Sequence, residues 1–240
     1  MSVLSDPIRF RKTIAGLALI GAPLAGFISC LTDSSEGIGQ PGTTLYATVS
    51  AHGGGIWLTG LIFMVSAILT VPAALGLAHL LRQRGAVLGH LGAACLVIGA
   101  FGHMGYAVWQ LMVARAAGPG AAALIAYLDR TAAVTPVLVP LMVLLDVGLV
   151  LLAAGLLRAR AVPGWAPWLI IVTVAADFAI QFTSITATWP VTAVWGALVV
   201  SFGAIGLRVL SMPPAEWAAA SQAPSPLAGS VPAAASVPAA

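Results

Sequence analysis

Residues 131–157 read TAAVTPVLVPLMVLLDVGLVLLAAGLL, an apolar run whose one charged side chain is Asp146. About 20 such residues cross the roughly 30 Å of a bilayer's hydrocarbon core, so the run reads as a transmembrane helix. Lipid offers no partner for backbone N–H and C=O groups, which forces the segment to satisfy them within a helix. Working outward, stretches of similar length recur at 13–31, 56–81, 86–113, 165–187 and 190–210. The expected fold class is all-α: a polytopic integral membrane bundle of six helices over 13–211. A basic segment, 1–12, precedes it. A tail of Pro, Ala and Ser, 212–240, follows and is expected to be disordered.

The composition agrees. Of 240 residues, 60% are hydrophobic and only 7% charged, against about 25% in a soluble domain. The net charge of +3 therefore marks topology rather than a nucleic-acid or other anionic partner. Arg9, Arg11 and Lys12 precede the first span, and Arg82 and Arg84 separate the second and third. Arg158 and Arg160 separate the fourth and fifth, Arg208 closes the sixth, and only Arg115 and Arg130 fall on the other side. The positive-inside rule places both termini in the cytoplasm of a bacterial plasma membrane, and Trp57, Trp165, Trp168 and Trp189 stand at span ends where aromatic belts form.

Cys30 and Cys95 lack the spacing of a redox pair or a zinc site. Phe27-Ile28-Ser29-Cys30 after the basic N-terminus has the form of a lipobox, but one helix anchors better than a lipid does. The outer loop 32–55 carries Asp33, Glu36 and His52 and reads as solvated rather than metal-binding. A short echo links Leu80–Gly89 with Leu156–Gly164, at offsets of about 75. It suggests a parallel repeat of a two-helix hairpin, although two basic turns also resemble each other by composition alone.

Chemistry centres on Asp146 and Asp177. Each lies roughly 18 Å from the cytoplasmic end of its helix, near the bilayer midplane, and no Lys or Arg shares that depth. An acid there costs at least about 2.5–3.5 kcal/mol on insertion scales, so it is expected to face the bundle interior and carry a function. One of the two is expected to hold a proton, or the pair to share one; a purely structural acid bonded to a carbonyl is the alternative. Thr173, Asp177, Gln181, Ser184 and Thr188 recur at intervals of three and four, a polar stripe on one helix face that serves either packing or a pathway. On the third span His103, Tyr106 and Gln110 repeat the spacing, among glycines that admit close neighbours. His103 is expected as a proton relay or partner of the acids, or else as a core histidine donating to a carbonyl. No second histidine matches its depth, which argues against haem. Thr59, Ser66 and Thr70 read as packing contacts. Tyr106, Trp109, Phe178, Phe182 and Trp195 are the aromatics available to wall a pocket, with Gln181 beside them.

No P-loop, dinucleotide fingerprint, zinc-protease helix or nucleophile elbow occurs, and neither cofactor nor metal is expected. Three function classes follow. The first is an intramembrane enzyme: a neutral acid in a dry pocket protonates an alkene or epoxide, and aromatic faces stabilise the carbocation. In outline, on the midplane Asp146 and Asp177 with aromatics nearby, the chain resembles the small bacterial membrane-bound terpene cyclases. That resemblance implies proton-initiated cyclisation of a hydrophobic, prenylated small molecule without metal or nucleotide. The second is a proton-coupled transporter, with Asp146, Asp177 and His103 as relay and a homodimer expected because six spans are few. The third is a non-catalytic membrane subunit. Membrane lipids are partners in all three.

Overall fold

The computed structural model describes residues 6–32, 55–116, 120–131, 135–182 and 189–219, with Thr43, Tyr46 and Ala47 of the outer loop. Among these the chain is helical, without strands. The helices are α1 (Pro7–Thr32), α2 (Gly55–Leu80), α3 (Ala86–Arg115), α4 (Ala121–Arg130), α5 (Thr135–Ala159), α6 (Trp165–Phe182), α7 (Trp189–Ser211) and α8 (Pro214–Ala219). Five of them, α1, α2, α3, α5 and α7, are long and apolar enough to cross a membrane. The expected fifth span appears as the shorter apolar helix α6, and its predicted last residues, 183–187, fall outside the described part. Asp33, Glu36 and His52 fall outside it too, as do Ser184 and Thr188.

Helix α1 begins earlier than the hydrophobic run because its start is set by a cap. The Asp6 Oδ1 accepts hydrogen bonds from the backbone N–H of Ile8 (3.0 Å) and Arg9 (3.3 Å). Pro7, in the first helical position, loses no bond there. The extra turns bring Lys12 onto the helix, where it is only 9% exposed. Its Nζ donates to the carbonyls of Leu210 (3.0 Å) and Met212 (2.6 Å), two acceptors that the end of α7 leaves without helical partners.

The six long helices form a closed ring in the order α1, α2, α3, α5, α6, α7 and back to α1. Water provides no driving force between helices in lipid, so close backbone approach must hold such a ring. Glycines supply it at two seams. Between α3 and α5, a Cβ on Gly99 would overlap the backbone nitrogen of Leu145, and one on Gly148 would lie 2.6 Å from that of Leu96. Between α1 and α7, a Cβ on Gly206 would lie 2.8 Å from the Gly16 carbonyl oxygen. Hydroxyls add local bonds: Thr32 and Thr59 pair at 2.9 Å, and Ser66 donates to the Ala22 carbonyl at 2.7 Å. Thr70 Oγ1 donates to Ser66 O at 2.9 Å. Two of the second span's three hydroxyls, Thr59 and Ser66, thus tie it to α1, and Thr70 bonds within its own helix. The turns after α2 and α5 each hold one residue in the left-handed region, Gly85 (φ 104°) and Arg160 (φ 52°).

Two features lie beyond the sequence expectation. The segment after the third span folds into α4, whose Ile125 is buried beside Val113. Chain order also continues past residue 212 instead of ending there. Helix α8 turns back under the bundle, and Trp217, 4% exposed, stacks on His79 with ring centroids 4.3 Å apart. His79 Nε2 bonds the Trp217 carbonyl at 2.9 Å, and Arg208 pairs with Glu216 at 3.1 Å. A Trp217→Ala substitution removes the one large side chain anchoring α8, a loss of about 3–5 kcal/mol for a buried tryptophan. It is expected to release residues 213–219 to protease in detergent-solubilised protein while the ring stays folded. Unchanged protection would show that the polar contacts alone hold the segment.

Candidate functional site

The site is built from the α3–α5 seam. Because Gly99 has no side chain, Leu145 of α5 sits directly on α3 at that level, and the next residue, Asp146, is turned along the ring toward α6. One helical turn beyond Gly99, His103 is buried, and its Nδ1 lies 3.1 Å from the Gly99 carbonyl oxygen. A carbonyl can only accept, so Nδ1 carries the proton and donates it; in the neutral ring Nε2 is then the acceptor. The His103 ring lies 5.1 Å from that of Phe63 on α2, which holds its other side.

Helices α5, α6 and α7 close a cleft around this point. Its cavity volume is about 60 Å³, well below the roughly 300–1,000 Å³ of a drug-sized site, and one side of it is open. Asp146 from α5, Asp177 and Thr173 from α6, Trp195 from α7 and His103 from α3 all line it. Both acids are half-buried and lie within range of each other's charge. The remaining walls are apolar, from Met142, Leu149, Val194, Leu198 and their neighbours. Asp146 and Asp177 thus line one cleft from adjacent helices, with His103 on its wall.

The other sequence candidates lie elsewhere. Tyr106 and Trp109 belong to a packed cluster with Phe63, Ala107 and Met142, against which Trp195 also rests. Tyr106 and Phe63 meet edge to face at 6.4 Å, as do Trp195 and Phe63 at 6.0 Å. Phe178 packs on the main core rather than into the cleft. The side chains of Gln181 and Phe182 are outside the described part. Gln110, buried on α3, has an Oε1 with no hydrogen-bond partner among the described residues. Sequence reasoning missed Phe63, and it had no signal for it: one phenylalanine in a hydrophobic span looks like any other. It also gave no warning that Met142, Leu149 and Leu198 would line the cleft, since their type repeats throughout every span.

Among the described residues no three His, Cys, Asp or Glu side chains gather as a metal site would require. What the arrangement offers is proton chemistry: two carboxyl groups in apolar surroundings, a buried hydroxyl at Thr173 and an imidazole of fixed tautomer. Comparison with protein-family models, with curated proteins and with solved structures finds no match. The functional reading therefore rests on the cleft itself.

Proposed function

We propose that the chain crosses a bacterial plasma membrane six times with both termini in the cytoplasm, and that its acid cleft protonates a lipid-soluble isoprenoid to start its cyclisation. The observation that carries this reading is the convergence of Asp146 and Asp177, from two adjacent helices, on one apolar cleft. For α6, its 18 residues rise roughly 27 Å, close to a bilayer's core. The distribution of Lys and Arg supports the orientation.

Two carboxyl groups sharing a low-dielectric site do not both ionise readily. One then carries an O–H aimed at an alkene, in surroundings that do not dilute it with water. Its proton adds to one alkene carbon, the π pair becomes the new C–H bond, and the neighbouring carbon becomes a cation. A second alkene of the same chain attacks that cation and closes a ring. The final cation returns a proton to the carboxylate, which restores the acid, so the reaction is a balanced isomerisation. Trp195 offers a π face to the cation. His103, fixed by Gly99, positions the acids. Phe63 holds Trp195 edge to face at 6.0 Å, and the cluster containing Tyr106 packs against it.

The test is cyclisation in heavy water. Membranes containing the protein, given a linear prenylated substrate, are expected to yield cyclic product carrying deuterium at the protonated carbon. Absence of any cyclic product would refute the reading.

One observation favours a second reading. Trp195 is the only aromatic side chain among the cleft's described lining, besides the imidazole of His103, a thin shield for a carbocation. A proton-coupled transporter needs no such shield; Asp146, Asp177 and His103 would form its relay, the α2–α3 and α5–α6 hairpins its repeated halves, and a dimer its working unit. Solute uptake into vesicles that follows an imposed pH gradient, and fails in Asp177→Asn, would support it. If Asn variants alter only assembly, the chain is a structural membrane subunit.

A further inference from the structure

The acid cleft gathers more hydrogen-bonding capacity than its own side chains can pair. His103, 7% exposed, is tied at Nδ1 to the Gly99 carbonyl of its own helix, so its distal Nε2 is the end presented to the cleft. In the neutral ring that nitrogen is an acceptor, and it has no hydrogen-bond partner among the described residues. The Thr173 hydroxyl, on a side chain 4% exposed, lines the same space and makes no hydrogen bond to another described residue. The carboxyl groups of Asp146 and Asp177 complete the polar lining. Acceptors cannot bond one another. Among the described lining no Lys or Arg stands by to donate, and the Thr173 hydroxyl has one hydrogen to give.

Donors must therefore come from a bound molecule, and the space limits what it can be. The cavity volume is about 60 Å³, whereas a buried water needs about 10–15 Å³ and two to four polar partners. A metal ion does not suit the site, since no three His, Cys, Asp or Glu side chains among the described residues are grouped to hold one. A second cavity, about 40 Å³ and lined by Ala22, Ala73, Leu96 and Phe202, is the contrast. Its hydroxyls are already engaged, Ser66 with Ala22 O and Thr70 with Ser66 O. Such apolar walls give water nothing to bond.

We propose that the acid cleft binds a cluster of about four ordered waters, the number its volume admits. The cluster joins His103 Nε2 and the Thr173 hydroxyl to the two carboxyl groups as one hydrogen-bonded unit. Water suits every partner, because it donates to Nε2 and to a carboxylate and accepts from a hydroxyl or a protonated carboxyl. The site goes beyond the cyclisation reading and holds equally for a proton relay. In a cyclising enzyme the cluster is the resting occupant, which the entering end of the substrate expels before the acid meets the alkene. In a relay it carries the proton between the acids and the imidazole.

X-ray hydroxyl-radical footprinting of the full-length protein in nanodiscs tests the cluster without depending on turnover. Radiolysis of a bound water oxidises the side chains that touch it, while an added scavenger quenches labelling from bulk solvent. With scavenger present, Met142, 5% exposed and on the cleft wall, is expected to be oxidised severalfold faster than in an Asp146→Leu/Thr173→Val double variant. That variant keeps the bulk of both side chains and removes their polar atoms. Thr173→Val alone, the milder change, should lower the Met142 rate part of the way. Phe202, in the apolar cavity, should stay unlabelled throughout, which also reports an intact ring of helices. A protected Met142 in the parent protein, or equal Met142 rates in the parent and both variants, would overturn the cluster. A labelled Met142 in protein that makes no cyclic product would instead overturn the cyclisation reading and leave the cluster standing.

Discussion

Asp146→Asn is expected to lower cyclic product formation by about 10²–10⁴-fold, the usual contribution of a positioned general acid, while folded protein is recovered in undiminished amount. The substitution keeps the shape of the side chain and removes only its ability to hand over a proton. Its effect on stability should be separable from its effect on activity. An ionised acid within a span costs about 2.5–3.5 kcal/mol on insertion scales; the amide matches the neutral, proton-bearing form of the acid and adds no such cost. Thermal unfolding in detergent should therefore show a midpoint equal to or above that of the parent protein. Asp177→Asn should act in the same direction, because the two carboxyl groups face one cleft. The double variant should lose little more than the worse single one, since residues acting as a unit are not additive. Loss of stability together with activity would mean that Asp146 is a structural acid, which is the plainest competing account. Full activity in both single variants would remove protonation by this pair altogether.

The membrane fold was legible because lipid leaves a chain few choices. A run such as 131–157, with Asp146 as its one charge, can hardly be anything but a buried helix, and its basic turns mark its ends. The two acids were legible for the same reason: depth alone singles out Asp146 and Asp177 in a sequence with so few charges. Their meeting in one cleft was not. On α5 nearly every neighbour of Asp146 is Val, Leu or Met, so no polar period shows which face turns inward, whereas the polar stripe of α6 shows it for Asp177. The phase of α5 is set by contact with α3 at Gly99 and Gly148, a fact about two segments that neither contains alone. The aromatic residues misled for a related reason. Spacing groups Tyr106 with His103, but Phe63 from α2 takes the space beside both rings. At the C-terminal end, average composition hid a single informative residue. Trp217 sits in an Ala-, Pro- and Ser-rich tail, and its partner His79 is 138 residues away. Lys12, read as a topology marker, also closes the end of α7 through two carbonyls.

Gly99→Ala is expected to cost more folding stability than almost any other single methyl group added to the chain. The added Cβ would overlap the backbone nitrogen of Leu145, and backbone cannot rotate away as a side-chain end can. Either α5 moves off α3, or the helix bends, and overpacking of this kind costs about 1–3 kcal/mol and occasionally more. The control is Gly203→Ala on α7, where a Cβ meets nothing within 4 Å. There the alanine should stabilise by roughly 0.5–1 kcal/mol, because glycine in a helix interior is disfavoured by about that much. Two chemically identical substitutions in two long apolar helices should thus move the unfolding midpoint in opposite directions. The Gly99 variant carries a second consequence, since the same contact sets the level of Asp146 against His103, whose Nδ1 bonds the Gly99 carbonyl. Whatever Gly99→Ala protein folds should have a displaced acid, and its activity per folded molecule should fall by about 10²-fold, as misplacement of about 1 Å does in other enzymes. Equal midpoints for the two variants would show that the α3–α5 seam yields under strain. In that case the depth of Asp146 would have to be held from the α6 side instead.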